Sequence, residues 1–378
     1  MTGVVIGTRG SPWRATVTES GAVVPTAGGP VLDWWIAADD RWHIPGDEPS
    51  RRQRRMLGAP VVETAIGVPG GEVAHRAYAV PVGAHAAVVI ELENRSRLPV
   101  AVAFSRSDVA TGRPLASVPA GAPPGAAVAV PLGHRSTVRV VVGADTPSTV
   151  PPAEQVARGW VAQTETGARF VVPDDALLER VVAARSDALL TVPSDDDPVA
   201  RLLAVAERVR LGEPPAPWVD DVAAAAVVVA RRARRAPAWD DRAALDAAAD
   251  VLRRAGEVRG ADDVAAMRVR FGPTRPPPTV APEGSRVVTW LADRLVHRVD
   301  GGADLLAGFI GTWAGQGIEA YGVPLGLATL GFAVRWHGER PALLWESSAA
   351  LHLTCSNLDP AWSTDAPRGE ALLRPYPP

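Results

Sequence analysis

The last quarter of the chain, Ala303 to Leu373, constrains the fold most. Within it, Gly331 to Glu346 reads GFAVRWHGERPALLWE. Phe332, Val334 and Trp336 share one face of a strand, His337 to Pro341 makes the turn, and Ala342 to Glu346 returns, which is the alternation and punctuation of a β-hairpin. This tract follows a helical region, which itself follows a β-rich half. The order predicts an α+β, multidomain chain: an N-terminal antiparallel β-sandwich, a central helical domain and a C-terminal β tract.

Residues 1–152 read as antiparallel β. Pro60 to Ile66 and Val73 to Val80 are apolar runs split by Gly67-Val-Pro-Gly-Gly71. Ala86 to Glu93 turns at Asn94 to Arg97 into Leu98 to Phe104, and Ala126 to Leu132 turns at Gly133 to Ser136 into Thr137 to Gly143. Strands recurring with short turns and no intervening helix favour a sandwich over a parallel sheet. After the linker Ser148 to Pro152, residues 153–272 form the helical domain, beginning with a short helix and strand over Ala153 to Val172.

Helix starts and stops are explicit there. Asp174-Asp175 opens a helix to Val192; Asp197-Pro198 supplies an N-cap and a first-turn proline, and Leu211-Gly212 closes that helix. Further helices are expected over Trp218 to Arg235, Asp240 to Ala255 and Ala261 to Arg270. The interior Val222 to Ala230 is apolar on every face, which predicts burial from several sides. Residues 273–284 are rich in proline and read as a linker or polyproline arm. Residues 285–378 then hold a helix capped by Ser285 and running through Val299, followed by the β cap.

Composition excludes several chemistries. All 39 basic residues are arginine, so a Schiff-base lysine, a lysine general base and the P-loop lysine are absent. Net charge is −3, and the arginine clusters Arg51 to Arg55 and Arg231 to Arg235 are short and far apart, which argues against a nucleic-acid partner. The single cysteine, Cys355, excludes an intramolecular disulfide and a cysteine-based metal cluster and suits a reducing cytoplasm. Its apolar strand setting marks an inert thiol. No apolar run nears the ~18 residues of a membrane span, and no signal-like start is seen. The seven histidines show no metal-ligand spacing, and neither a Gly-x-Ser-x-Gly elbow nor a dinucleotide loop occurs. No cofactor is implied. Oligomerisation is left open.

The order of parts, with Ile90 to Val100 (IELENRSRLPV) in the first half, then Trp313 to Glu319 (WAGQGIE) and Arg335 to Glu346 (RWHGERPALLWE), resembles the six-hairpin glycosidase-like proteins, relatives of glucoamylases, maltose phosphorylases and glycogen debranching enzymes. The resemblance implies a sandwich, an (α/α)6 toroid and a small β cap, and carbohydrate metabolism with an α-glucan or related oligosaccharide as ligand. Length limits this. Twelve helices of about 11–12 residues with loops of about 4–6 need on the order of 200 residues, whereas Asp174 to Val299 offers 126. A partial toroid or a helical bundle is therefore expected.

An inverting glycosidase needs two carboxylates ~6.5–9.5 Å apart. Candidates are Asp33, Asp40, Asp220 and Glu319. Asp220 and Asp221, like Asp240 and Asp241, also suit a helix N-terminus electrostatically, with arginines at the far end of the first helix, and Glu339 reads as a solvated turn residue. For ligand binding, Val31 to Pro45 concentrates Trp34, Trp35, Asp39, Trp42 and His43. Aromatic faces with nearby polar groups suit sugars, although alternate members of a strand there must point into a core. With no catalytic signature, the expected function is glycan binding with little or no hydrolysis. An inverting hydrolase and a non-catalytic interaction scaffold are the alternatives.

Overall fold

Apolar alternation sets the strands of the first half, and buried side chains at its corners decide which sheet each strand joins. The computed structural model describes residues 3–83, 85–142, 150–234, 237–269, 277–299 and 301–376. They group into two units, Met1–Val161 and Ala162–Pro378. Together they form a mixed α+β protein with several antiparallel sheets and, among the described residues, seven α-helices.

In the first unit the strands are β1 (Gly3–Gly7), β2 (Arg14–Thr18), β3 (Val23–Pro25), β4 (Trp34–Ala37), β5 (Trp42–His43), β6 (Arg52–Arg55), β7 (Val62–Val68), β8 (Gly71–Val82), β9 (His85–Asn94), β10 (Val100–Phe104), β11 (Val109–Thr111), β12 (Val128–Leu132) and β13 (Thr137–Val142). They form sheets ordered β1-β2-β3, β12-β10-β4-β5 and β11-β13-β9-β8-β7-β6. Trp34, Ile36 and Phe104 from the second sheet and Ile66, Ile90 and Val140 from the third share one buried cluster. Each such side chain contributes about 1.5–3 kcal/mol on burial.

Two expected hairpins are corners between sheets. β9 lies in the six-stranded sheet and β10 in the four-stranded one, and β12 and β13 are divided likewise. The cause is Asn94, fully buried. Its Nδ2 donates to Leu98 O (2.8 Å), Leu132 O (3.2 Å) and Gly133 O (3.1 Å), tying both corners together, while its Oδ1 accepts from the backbone N–H and hydroxyl of Ser96. Strand alternation is the same whether the next strand pairs or crosses, so the pattern alone could not separate the two.

Register across the six-stranded sheet aligns Arg54, Glu63, Arg76, Glu91 and Arg139 in one row of alternating sign. Arg76 Nε lies 2.8 Å from Glu63 and its Nη1 2.9 Å from Glu91, and Arg139 Nε lies 3.1 Å from Glu91. Glu63 is costly to bury, but Arg76, Arg54 and Arg95 outweigh that and hold its carboxyl down at about 2.

α1 (Ala153–Thr164) spans the boundary between the units. The second unit then holds β14 (Arg169–Val171), α2 (Asp175–Leu190), α3 (Pro198–Arg210), α4 (Val219–Ala233), α5 (Trp239–Arg254), α6 (Val258–Val269), α7 (Arg286–Leu295), β15 (Val296–Val299), β16 (Gly302–Leu305), β17 (Ile318–Leu325), β18 (Ala328–His337), β19 (Arg340–Ser347), β20 (His352–Cys355), β21 (Asp359–Thr364) and β22 (Arg368–Leu372). The caps act as expected: Asp174 accepts from Leu177 N–H and Asp197 from Ala200 N–H. α3 to α6 bury their own alanine- and valine-rich core. α2 and α7 pack with the sheets ordered β14-β17-β18-β19-β22 and β15-β16-β20-β21.

Several expectations are corrected. α4 is buried on one side only: Val222, Ala226 and Val229 face the core, whereas Val228 is 51% exposed. The expected helix through Val299 stops at Leu295, because Val296 to Val299 pairs antiparallel with Gly302 to Leu305, and the β-branched ends of that run suit a strand. Ser285 makes no capping bond and instead donates to Ala200 O. The proline-rich stretch is not a free arm where it is described. Pro278 O accepts from Trp290 Nε1 (2.7 Å) and Arg294 Nη1, and Ala281 O and Pro282 O accept from Arg180 Nη2. The expectations at 273–276, 148–149, Gly143, Arg235 and Arg270 lie outside the described residues. No helix among the described residues is long and apolar enough to cross a membrane.

Candidate functional site

The residues expected to bind a ligand are divided by the pleat. Trp34 is 2% exposed, stacks on His75 with centroids 4.3 Å apart and donates its Nε1 to Ser20 O. It is core. Trp35 and Trp42 lie on the opposite face, half-buried, with Trp42 Nε1 donating to Ala120 O at 3.2 Å. A Cβ at Gly125 would stand 3.9 Å from the Trp35 ring and one at Gly121 3.9 Å from Trp42 Nε1, so the loop 120–125 lies against both indoles. His43 is buried between Asp40 Oδ1 (3.1 Å) and Glu48 Oε1 (3.0 Å), and Arg41 forks onto Glu48. Asp39 is exposed. This tract is a braced turn around β4 and β5.

The catalytic candidates are divided between the two units. Asp33 and Asp40 belong to the first unit, Asp220 and Glu319 to the second. Burial pushes the Asp33 carboxyl up. Asp40 meets a burial cost but is held below the usual range by its bond to His43. Asp220 is exposed in the first turn of α4, while Asp240 and Asp241 are buried against Arg286 (2.6 Å) and Arg232 (2.5 Å). The structural reading of these helix-start acids is the one their contacts support.

Glu319 leads to a different place. Phe332 and Val334 of β18 point into the core, so Thr329, Gly331, Ala333 and Arg335 point outward. Strand register then sets two outward rows, Gly331, Glu346, Arg368 and Val171, Glu319, Ala333, Leu344, Glu370, and Tyr321, paired with Arg169, falls in the β17 bulge beside Gly331. Each row is small where it crosses β18. Between Tyr321 on β17 and Leu344 and Glu346 on β19 lies a trough of about 880 Å³ floored by Gly331 and Ala333. Its walls stand two strand spacings apart, roughly 10 Å.

Each wall has a local cause. β17 carries a bulge between Ala320 and Val323, and bulges re-aim side chains; with Gly322 at φ +67°, the Tyr321 ring is thrown up beside the floor. The Arg169 guanidinium sits 5.0 Å over that ring. Glu319 bonds to Arg335, with Arg169 at 3.7 Å. The Arg335 bond holds its carboxyl below the ordinary range against a smaller burial cost, so Glu319 is ionised. On the far wall, Leu344 is 43% exposed, and Glu346, Arg368 and Glu370 have no ion pair or side-chain hydrogen bond among the described residues. Under the floor, Trp345 is buried and donates to Ala366 O at 2.9 Å.

The trough can take a flat, hydroxyl-rich ring: an aromatic edge and an apolar floor for C–H groups, with free carboxylates and a guanidinium for hydroxyls. Of the second unit's expected residues, Glu319 lies beside it and Asp220 does not. Tyr321, Gly331 and Arg368 were missed, although the alternation of the hairpin already marked 331 and 333 as small residues on the solvent face. No group of three or more His, Cys, Asp or Glu among the described residues is arranged to hold a metal ion. No protein-family model matches the chain, and no curated protein is significantly similar to it.

Proposed function

We propose that the protein binds an oligosaccharide, an α-glucan or a related chain, in the trough on the outer face of the β14-β17-β18-β19-β22 sheet, with little or no hydrolysis. The observation that carries this reading is the trough itself: an open groove with a Gly/Ala floor between a tyrosine and a wall of polar groups that form no ion pair among the described residues. Its volume lies within the range of small-molecule sites. The resemblance to six-hairpin glycosidase-like proteins supplies the substrate class. In that reading the sheets of the first unit form the sandwich, α2 to α7 stand for a shortened toroid or bundle, and the last sheets are the cap.

Hydrolysis is disfavoured by the state of Glu319, the catalytic candidate that lies beside the trough. A general acid needs a raised pKa, and Glu319 is held ionised by Arg335. Purified protein should therefore be titrated with maltooligosaccharides, trehalose and glycogen by calorimetry while product release is followed by chromatography. Binding without turnover, abolished by Tyr321→Ala, supports the proposal. Turnover lost on a single Asp→Asn change replaces it with the inverting-hydrolase reading, and absence of binding across a wide panel leaves the scaffold reading.

A further inference from the structure

β22 ends its sheet, with β19 on one side and, among the described residues, no strand on the other. Arg368, Gly369, Glu370 and Leu372 are all exposed. Ser347 N–H donates to Pro367 O (2.7 Å) and Leu373 N–H to Pro341 O (2.9 Å). Hydrogen-bonded and non-hydrogen-bonded pairs alternate along an antiparallel ladder, so 367, 369, 371 and 373 spend their backbone groups on β19. Arg368, Glu370 and Leu372 turn theirs outward. An edge of this kind is a template for another strand.

We propose that this edge pairs antiparallel with the same edge of a second copy of the chain, about a two-fold axis through Gly369. This register sets Arg368 opposite Glu370 of the copy, twice, and both residues carry outward backbone groups, so each rung exchanges two N–H···O=C bonds. Both side chains stand on the outer face and neither has an ion pair among the described residues. The pairing satisfies them. At the axis Gly369 meets Gly369, and no side chain opposes the close approach of a non-hydrogen-bonded pair. Pro367 does not obstruct, since its missing N–H faces β19. A shift by one rung, centred on Glu370, satisfies the same backbone groups but sets two glutamates face to face, which is destabilising. Charge thus selects the register, and the contact is isologous as a two-fold dimer requires.

The proposal does not depend on a sugar ligand. Sedimentation over about 1–200 µM, the range expected for a small interface, should show the wild type passing from 39.6 kDa toward twice that mass. Arg368→Glu and Glu370→Arg should each weaken the dimer about tenfold, by turning two attractive cross-strand pairs repulsive; Glu370→Arg, whose strand neighbour is Leu344, should do so with unchanged melting. Mixing the two single variants should restore it, because each supplies the sign the other lacks. For register, Arg368→Cys and Glu370→Cys proteins should form a disulfide-linked dimer when mixed and neither alone. The native Cys355 stays silent, since burial pushes its thiol up to about 12. A wild type that is monomeric throughout, or Glu370→Cys cross-linking alone as well as in the mixture, overturns the proposal.

Discussion

Gly331 lies directly beside Tyr321: a Cβ built on the glycine would stand 3.3 Å from the ring's Cδ1. The tyrosine is lifted by the bulge in β17, and the groove exists because its strand neighbour has no side chain to fill the space. Gly331→Val should close it. Since the position faces solvent and its φ is not in the left-handed region, the melting temperature should change little. Glycan affinity, measured by calorimetry, should drop at least tenfold, about 1.4 kcal/mol or more.

The charge row of the first unit makes a stability prediction. The folded-state pKa of Glu63, about 2, lies below its unfolded value, so its contribution is present above about 4.5 and lost as pH falls toward 2. Glu63→Gln should cost about 2 kcal/mol at pH 7 in urea titrations. That is less than the full shift implies, because Arg54 and Arg95 reach the solvent edge and screening weakens their share. The deficit should shrink below pH 4.5.

His75 acts in a different window. Burial lowers its pKa to about 3, so the unfolded chain takes up a proton between about 6.5 and 3 that the folded chain does not. Stability is then complete above about 6.5 and falls with acidification by up to about 1.4 kcal/mol per pH unit. His75→Phe keeps a ring against Trp34 and removes both the titration and the Nδ1 that has no hydrogen-bond partner among the described residues. Its stability, followed by chemical denaturation from pH 7 to 4, should fall less steeply than that of the wild type.

Asn94 is expected to be the most sensitive polar residue of the first unit. Asn94→Ala leaves three backbone carbonyls at two corners short of a donor, at about 1–3 kcal/mol for each group stranded away from water. A loss of about 3–4 kcal/mol by denaturant unfolding is expected. On α4, facing separates neighbours: Val229→Asp should unfold the helical core by burying a charge, whereas Val228→Asp should shift stability by less than about 1 kcal/mol.

Local structure was legible wherever one residue type decides it. Asp197-Pro198 and Asp174 announced their helices, and Phe332, Val334 and Trp336 announced the terminal hairpin, because capping and alternation act within a few residues. Sheet membership was not. Asn94 makes corners through carbonyls as distant in sequence as Leu132 and Gly133, and nothing beside it in the chain encodes that contact. The charge row from Arg54 to Arg139 likewise exists only once five strands share a register. Trp34 shows the limit of composition: its surroundings are rich in groups suited to sugars, yet the pleat turns it onto His75. The trough fell between these cases. Its small outward residues lie in a hairpin whose strands were expected, although the turn is Gly338-Glu339 alone and not His337 to Pro341, since His337 pairs with Arg340 and Trp336 with Pro341; Tyr321 enters only through a bulge, which strand alternation does not encode.

The most direct test of the central claim is a crystal structure of the protein soaked with a maltooligosaccharide such as maltoheptaose. The account predicts glucose units lying over Gly331 and Ala333, between Tyr321 and Leu344, with hydroxyls within hydrogen-bond reach of Glu346, Arg368 or Glu370. Sugar seated instead against Trp35 and Trp42, or an empty trough at saturating ligand, would contradict it.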